Sequence, residues 1–176
     1  DGNGRWAQKR LLSRILGHEK GAEAVRMVIR TCRELGIAFL TLYAFSTENW
    51  QRSRAEVDGL MRLLRRFLKT ELPEMAQNNI RLHVIGCTEQ LPSDVQQALS
   101  QAVVETQANT ALQLNLALSY GGRDEITRAV RALAAEVQAG TIKPEEISEA
   151  YVASRLDTRG IPDPDVLIRT GGEMRI

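Results

Sequence analysis

This sequence predicts an α/β fold with an open, mostly parallel central sheet flanked by helices, and three observations lead to it. Helical and strand-like periodicities alternate along the chain. The strand-like segments are short and apolar, as in a sheet covered on its faces. Polar and glycine-rich clusters fall where those segments end, the edge at which open parallel sheets collect ligands.

After a basic, irregular segment from Gln8 to His18, the stretch Glu19 to Leu35 carries apolar residues at Ala22, Val25, Val28, Ile29 and Cys32, a helical stripe closed by Gly36. Ile37 to Phe45 is nearly all apolar without strict alternation, and reads as a central strand covered on both faces. Ser53 and Glu56 make a capping box, from which Val57, Leu60, Met61, Leu64, Phe67 and Leu68 continue one helical face to about Met75. Ile80 to Gly86 is the next strand, and Pro92 starts a helix running to about Gln107. From Leu112 to Ser119 one face is leucine while Gln113, Asn115, Ala117 and Ser119 line the other, a polar face expected to border a cavity. Gly121-Gly122 turns into a helix that reaches Gln138 and ends at Gly140, and a short acidic helix follows. Asp165 to Arg169 reads as the last strand, before Thr170-Gly171-Gly172-Glu173.

The chain has 176 residues, 43% of them hydrophobic and 26% charged, the balance of one globular domain with a sizeable core. Its 23 Lys and Arg against 22 Asp and Glu give a net charge of +1, and arginines alternate with glutamates, which argues against nucleic acid as a partner. Any anion site is therefore local. Cys32 and Cys87 read as buried free thiols of a reducing compartment. No run of about 18 uninterrupted apolar residues is present, so the sequence carries no transmembrane segment.

The chemistry concentrates first in Asp1-Gly2-Asn3-Gly4-Arg5-Trp6. Two glycines permit a tight turn with bare N–H groups, and Arg5 adds a rigid donor fork. Asp1 repels the same anion unless a cation lies between them, so the set suggests a diphosphate with a divalent metal. A plain surface turn explains the run as well. Arg5, Arg14, Arg52, Arg123, Arg169 and Arg175 each adjoin a glycine, a strand end or a turn and read as anion binders, whereas Arg26, Arg30, Arg62, Arg65 and Arg66 read as solvated helix faces. His18 either donates to phosphate or caps the chain locally, and His83 reads as structural. Glu48, Asn49, Trp50 and Arg52 are either a polar site with Trp50 covering an apolar substrate or a capped loop with Trp50 packed down. Ala44, Phe45, Met61, Leu64, Leu68, Leu112 and Leu114 fit a packed core or the wall of a lipid tunnel equally by pattern.

Five ordered motifs, Asp1 to Ala7, Gly17-His18, Leu42 to Trp50, Tyr120 to Arg123 and Asp165 to Glu173, closely resemble the cis-prenyltransferase family of the bacterial undecaprenyl diphosphate synthase type. The resemblance implies stepwise condensation of isopentenyl diphosphate onto farnesyl diphosphate, giving a long Z-polyprenyl diphosphate such as undecaprenyl diphosphate for cell-wall lipid carriers. It implies a magnesium-associated catalytic role for Asp1 with Mg2+ as cofactor. Asn3, Gly4, Arg5, Arg14 and His18, with Gly2 and Trp6 beside them, would grip the allylic diphosphate. Arg169 and Arg175, helped by Arg52, would hold isopentenyl diphosphate. Asn49 would assist deprotonation, Ser46 and Glu48 would shape that network, and Trp50 would face substrate. Leu112 resembles the bulky residue near the family's channel floor. A homodimer in the cytoplasm, touching the inner face of the membrane for product release, is also implied. Residues 1–176 would form a single catalytic domain lacking the family's first strand and its C-terminal elements, including a metal-associated glutamate. A shorter-product cis-prenyltransferase, a prenyl-diphosphate phosphatase and a non-catalytic prenyl-diphosphate-binding subunit are the competing expectations.

Overall fold

The structure is a computed structural model that describes residues 2–172. Asp1, Arg175 and the glutamate of the last motif, Glu173, lie outside the described residues. The elements run α1 (Asn3–Gln8), α2 (Arg14–Glu34), β1 (Phe39–Ser46), α3 (Arg54–Gln77), β2 (Ile80–Ile85), α4 (Ser93–Thr106), β3 (Leu112–Tyr120), α5 (Gly122–Gln138) and α6 (Glu149–Ala153). The three strands pair in the order β1-β3-β2, and both pairings are parallel. This is the open, parallel α/β architecture that the alternating periodicities predict.

Strand β3 is the central one, paired with β1 on one side and β2 on the other. Its leucines 112, 114, 116 and 118 are all buried and pack with Met61, Phe67 and Leu68 of α3 and with Val95 and Leu99 of α4. On the opposite face Asn115, Ala117 and Ser119 are fully buried. Gln113, half-buried, donates to Asn115 Oδ1 at 2.9 Å and the buried Asn115 donates to Thr41 Oγ1 at 3.1 Å, so the two amides are linked to each other and to an adjacent strand.

Two other expectations change. Within the described residues β1 pairs only with β3, and Tyr43 is 61% exposed, so β1 is an edge of this sheet instead of a strand covered on both faces. An apolar run reports strand propensity but not the number of neighbours. Asp165 to Arg169 forms no ladder either, and Val166, Leu167 and Ile168 are exposed, because a strand exists only where a partner supplies the facing N–H and C=O groups.

The helices also depart from the pattern reading. The opening run is not a turn: Asn3 begins α1. Helix α2 begins at Arg14, not Glu19, because Ser13 Oγ caps it by accepting from the Leu16 N–H at 3.3 Å. Helix α1 lies hard against α2 because residues 17 and 21 lack side chains. A Cβ on Gly17 would overlap the Asn3 carbonyl and lie 2.9 Å from Ala7 Cβ, and one on Gly21 would overlap the Asn3 amide. Four of the arginines expected on solvated faces keep that exposure and also bridge helices. Arg26 meets Glu71 at 2.6 Å and Arg30 meets Glu74 at 3.1 Å between α2 and α3, Arg66 meets Glu19 at 2.7 Å, and Arg65 pairs with Asp94 of α4. Cys32 and Cys87 are free and half-buried, not fully enclosed. No helix among the described residues is long and apolar enough to cross a membrane.

Candidate functional site

The carboxyl ends of β1 and β3 are held together by a local irregularity. Tyr43 pairs with Ala117, Phe45 with Leu118 and Ser46 with Tyr120, leaving Ala44 and Ser119 without direct partners across the ladder. Ser119 takes a positive φ of 47° there, a conformation that needs support from its surroundings. Trp50 supplies some of it: its indole Nε1 donates to Ser119 Oγ at 2.9 Å, and Ser119 donates onward to Gln90 at 2.8 Å. The Trp50 ring also meets Phe45 edge-on, with centroids 4.9 Å apart. Trp50 is thus packed down on the strand ends. The turn Thr47–Gln51 follows β1, and Asn49 closes it by accepting the Ser46 N–H on Oδ1 at 3.2 Å. Gly121 fits beside this turn because a Cβ there would lie 2.6 Å from Thr47 Oγ1. Glu48 is exposed on the same turn.

Helix α3 starts from the end of this turn, and its third residue organises the site. Ser53 caps the helix by accepting the Glu56 N–H at 3.4 Å, which sets Glu56 facing back toward α2. Arg52 Nη1 donates to Glu56 Oε1 at 2.8 Å and Arg14 Nη1 to Oε2 at 3.3 Å, while His18 Nε2 lies 3.6 Å from Oε1. The carboxylate side chain is 10% exposed, whereas those of Arg14 and Arg52 are 53% and 35% exposed. Burial pushes the Glu56 carboxyl up, but Arg52 and Arg14 outweigh it and hold the group below the usual carboxylate range. Burial, then Arg52, lower the His18 pKa against the pull of Glu56, so the imidazole is neutral near pH 7. Its Nε2 is enclosed and makes no hydrogen bond among the described residues.

The first and last motifs also meet. Arg5 Nη2 donates to the Gly171 carbonyl at 3.1 Å, and a Cβ on Gly2 would approach Gly171 Cα at 3.1 Å. Gly2, Gly171 and Gly172 all have positive φ, at 80°, 76° and 71°, so glycine is what lets the two backbones run this close. Gly4 faces the Arg14 side chain, and a Cβ there would lie 3.6 Å from Arg14 Cγ. Asn3 is lodged against Gly17 and Gly21, and the Trp6 ring is stacked under Arg10 at 4.4 Å. Arg123 and Arg169 are exposed. The structure therefore groups Arg14, His18 and Arg52 around Glu56, and Gly2 and Arg5 against Gly171.

Of the residues expected to line a tunnel, Phe45, Met61, Leu68, Leu112 and Leu114 belong to one buried cluster, Leu64 packs against it half-buried, and Ala44 is exposed at the strand irregularity. Glu56 is the residue that sequence reasoning placed only as a cap. Its i,i+4 spacing from Arg52 signals that ion pair, but nothing local signals Arg14 or His18. Among the described residues no group of three or more His, Cys, Asp or Glu is placed to hold a metal ion.

Over residues 1–176 the chain matches the family model described as "Putative undecaprenyl diphosphate synthase". The chain belongs to this cis-prenyltransferase family. Members catalyse transfer reactions that condense isopentenyl diphosphate units, and the chain shares their fold. It is 52% identical to the isoprenyl transferases of Geobacter sulfurreducens and Geobacillus kaustophilus, across its whole length and across 72% and 68% of theirs. Among solved structures it is similar to a lavandulyl diphosphate synthase from Lavandula x intermedia in complex with dimethylallyl diphosphate. The TM-score is 0.96 at 38% identity, over 99% of this chain and 76% of that one. A "probable undecaprenyl diphosphate synthase" from Campylobacter jejuni gives a TM-score of 0.69 at 35% identity, over 80% of this chain and 64% of that one.

Proposed function

We propose that the chain joins isopentenyl diphosphate in Z configuration to a short allylic diphosphate and releases a product shorter than undecaprenyl diphosphate. The observation that carries the condensation is the gathering of two arginines, Arg14 and Arg52, and the neutral His18 at one carboxylate beside the strand ends, a donor-rich edge suited to diphosphates. The short product is supported by the 0.96 TM-score to a synthase holding a five-carbon allylic diphosphate, and by the close packing of Phe45, Met61, Leu68, Leu112 and Leu114. Undecaprenyl diphosphate is the second reading, favoured by the description of the family model.

In this reading Arg14 and His18, with Asn3, Gly4 and Arg5, hold the allylic diphosphate, with Gly2 and Trp6 at its margin. Arg52, Arg169 and Arg175 hold isopentenyl diphosphate. The enclosed Nε2 of His18, which lacks a hydrogen bond among the described residues, is a donor or acceptor waiting for a partner. The allylic C–O bond breaks, the diphosphate leaves with the electron pair, and the isopentenyl alkene forms the new C–C bond. Loss of a proton restores the double bond. Because the Asn49 amide oxygen closes the Thr47–Gln51 turn and an amide is a poor base, Asn49 orients this step and a diphosphate oxygen takes the proton. Ser46 and Glu48 hold that turn, and Trp50 acts by bracing it. Magnesium, which one carboxylate and substrate phosphate oxygens suffice to hold, would be held by Asp1 and would offset charge on the leaving diphosphate. A homodimer is part of the same proposal.

Radiolabelled isopentenyl diphosphate, supplied with magnesium and with dimethylallyl, geranyl or farnesyl diphosphate, tests it by product chromatography. One or a few added units support the proposal. Extension to eleven units in all favours the second reading, phosphate release without extension indicates a phosphatase, and binding without turnover indicates a non-catalytic subunit.

A further inference from the structure

The geometry points to Glu56 as the positioning residue that sets the two diphosphate subsites relative to each other, an inference that rests on the assignment of Arg14 and His18 to the allylic diphosphate and of Arg52 to the isopentenyl diphosphate. Partners from two different elements share its two oxygens. Arg14, from the first turn of α2, takes Oε2, and Arg52, from the end of the turn after β1, takes Oε1 with His18 nearby. Each guanidinium gives Glu56 only its Nη1, and both are far more exposed than the carboxylate between them. The anion is thus the fixed part and the cations are its reaching arms. Its own position is fixed by the Ser53 cap and by burial at the start of a 24-residue helix.

A carboxylate in this place has opposite effects on binding and on geometry. Its charge opposes each incoming diphosphate, so removing it does not weaken either site electrostatically. Its geometry, however, ties the two cationic arms to one rigid point, so a diphosphate that draws Arg14 changes how firmly Glu56 holds Arg52. That is a coupling between the two substrates carried by a single side chain.

The test compares wild type with E56Q, which keeps the shape and an acceptor oxygen, by titrating isopentenyl diphosphate calorimetrically with and without a non-ionising thio-analogue of the allylic substrate. In wild type the two affinities should differ by about 5-fold or more, and in E56Q by less than about 2-fold. Loss of folded protein alters the stoichiometry of such a titration but not the ratio, so a merely structural role leaves the ratio intact and overturns the inference. In turnover, E56Q should lower kcat by about 10-fold or more with neither KM raised, and E56Q combined with R52A should be no slower than R52A alone. A wild-type ratio near one, or an unchanged ratio in E56Q in a protein that does extend chains, defeats the role of Glu56 alone. A wild type that binds neither diphosphate defeats the prenyl-transfer assignment and this inference with it.

Discussion

Arg52 Nη1 stands 2.8 Å from Glu56 Oε1, one helical turn away, and this contact with that of Arg14 keeps a nearly enclosed carboxylate ionised. Charge here is maintained by geometry, so pH tests it directly. The folded Glu56 binds its proton less readily than the ordinary 4.5 of the unfolded chain, and its stabilising contribution is therefore present above that pH and lost as pH falls through the depressed value. His18 and His83, both lowered from 6.5 chiefly by burial, act earlier: the unfolded chain takes up their protons first, so stability declines as pH drops below that value. Thermal melts should show Tm falling in two stages, and a variant carrying H18Q and H83Q should lose the upper stage. A single fall confined to below about pH 4 would contradict the histidine assignment.

Replacing either arginine at Glu56 should separate the substrates kinetically. R52A should raise KM for isopentenyl diphosphate by about 10-fold or more while leaving the allylic KM nearly unchanged, and R14A should do the reverse. Initial rates with one substrate saturating and the other varied measure both. Equal changes in the two constants for either variant would reject the assignment of subsites.

The contact between α1 and α2 depends on a missing side chain. G17A places a methyl group against the Asn3 carbonyl and Ala7, and overpacking of this kind costs about 1–3 kcal/mol. G122A is the control, since nothing lies within 4 Å of a Cβ there and φ is not positive, and it should be neutral or stabilising by about 0.4–1 kcal/mol. Urea denaturation of both variants gives the comparison. G17A should also raise the allylic KM, because it pushes Asn3 and Gly4 away from Arg14.

Leu112 separates core from tunnel. It is fully buried at the start of β3, and L112A should cost about 2–5 kcal/mol by cavity formation. If the same side chain limits the product, L112A should also shift the products to longer chains. Product chromatography checks the second effect independently of the first, and an unchanged length distribution in a folded variant would leave Leu112 as core alone.

The site was legible in its ingredients and not in its assembly. Arg5, Arg14, His18 and Arg52 stand out in the sequence because each adjoins a glycine or a turn, yet Glu56 reads there only as a helix cap. Its partner Arg14 is 42 positions away, and Arg5 reaches Gly171 across 166 positions. Trp50 reads in the sequence as either substrate cover or packed loop, and its hydrogen bond to Ser119 and edge-on contact with Phe45 place it in the packing.

By itself the sequence determined the alternation of helices and strands from α2 to α5 and the leucine face of β3, because periodicity and capping act over a few neighbouring residues. Tertiary structure alone decided that, among the described residues, β3 is central, β1 is an edge and Val166 to Ile168 stand outside the ladder, and that Arg26, Arg30 and Arg66 bridge helices. It also decided that two arginines and a histidine meet at Glu56. Those outcomes depend on which faces come together, and a side chain's partner across a packed interface leaves no local trace in the chain.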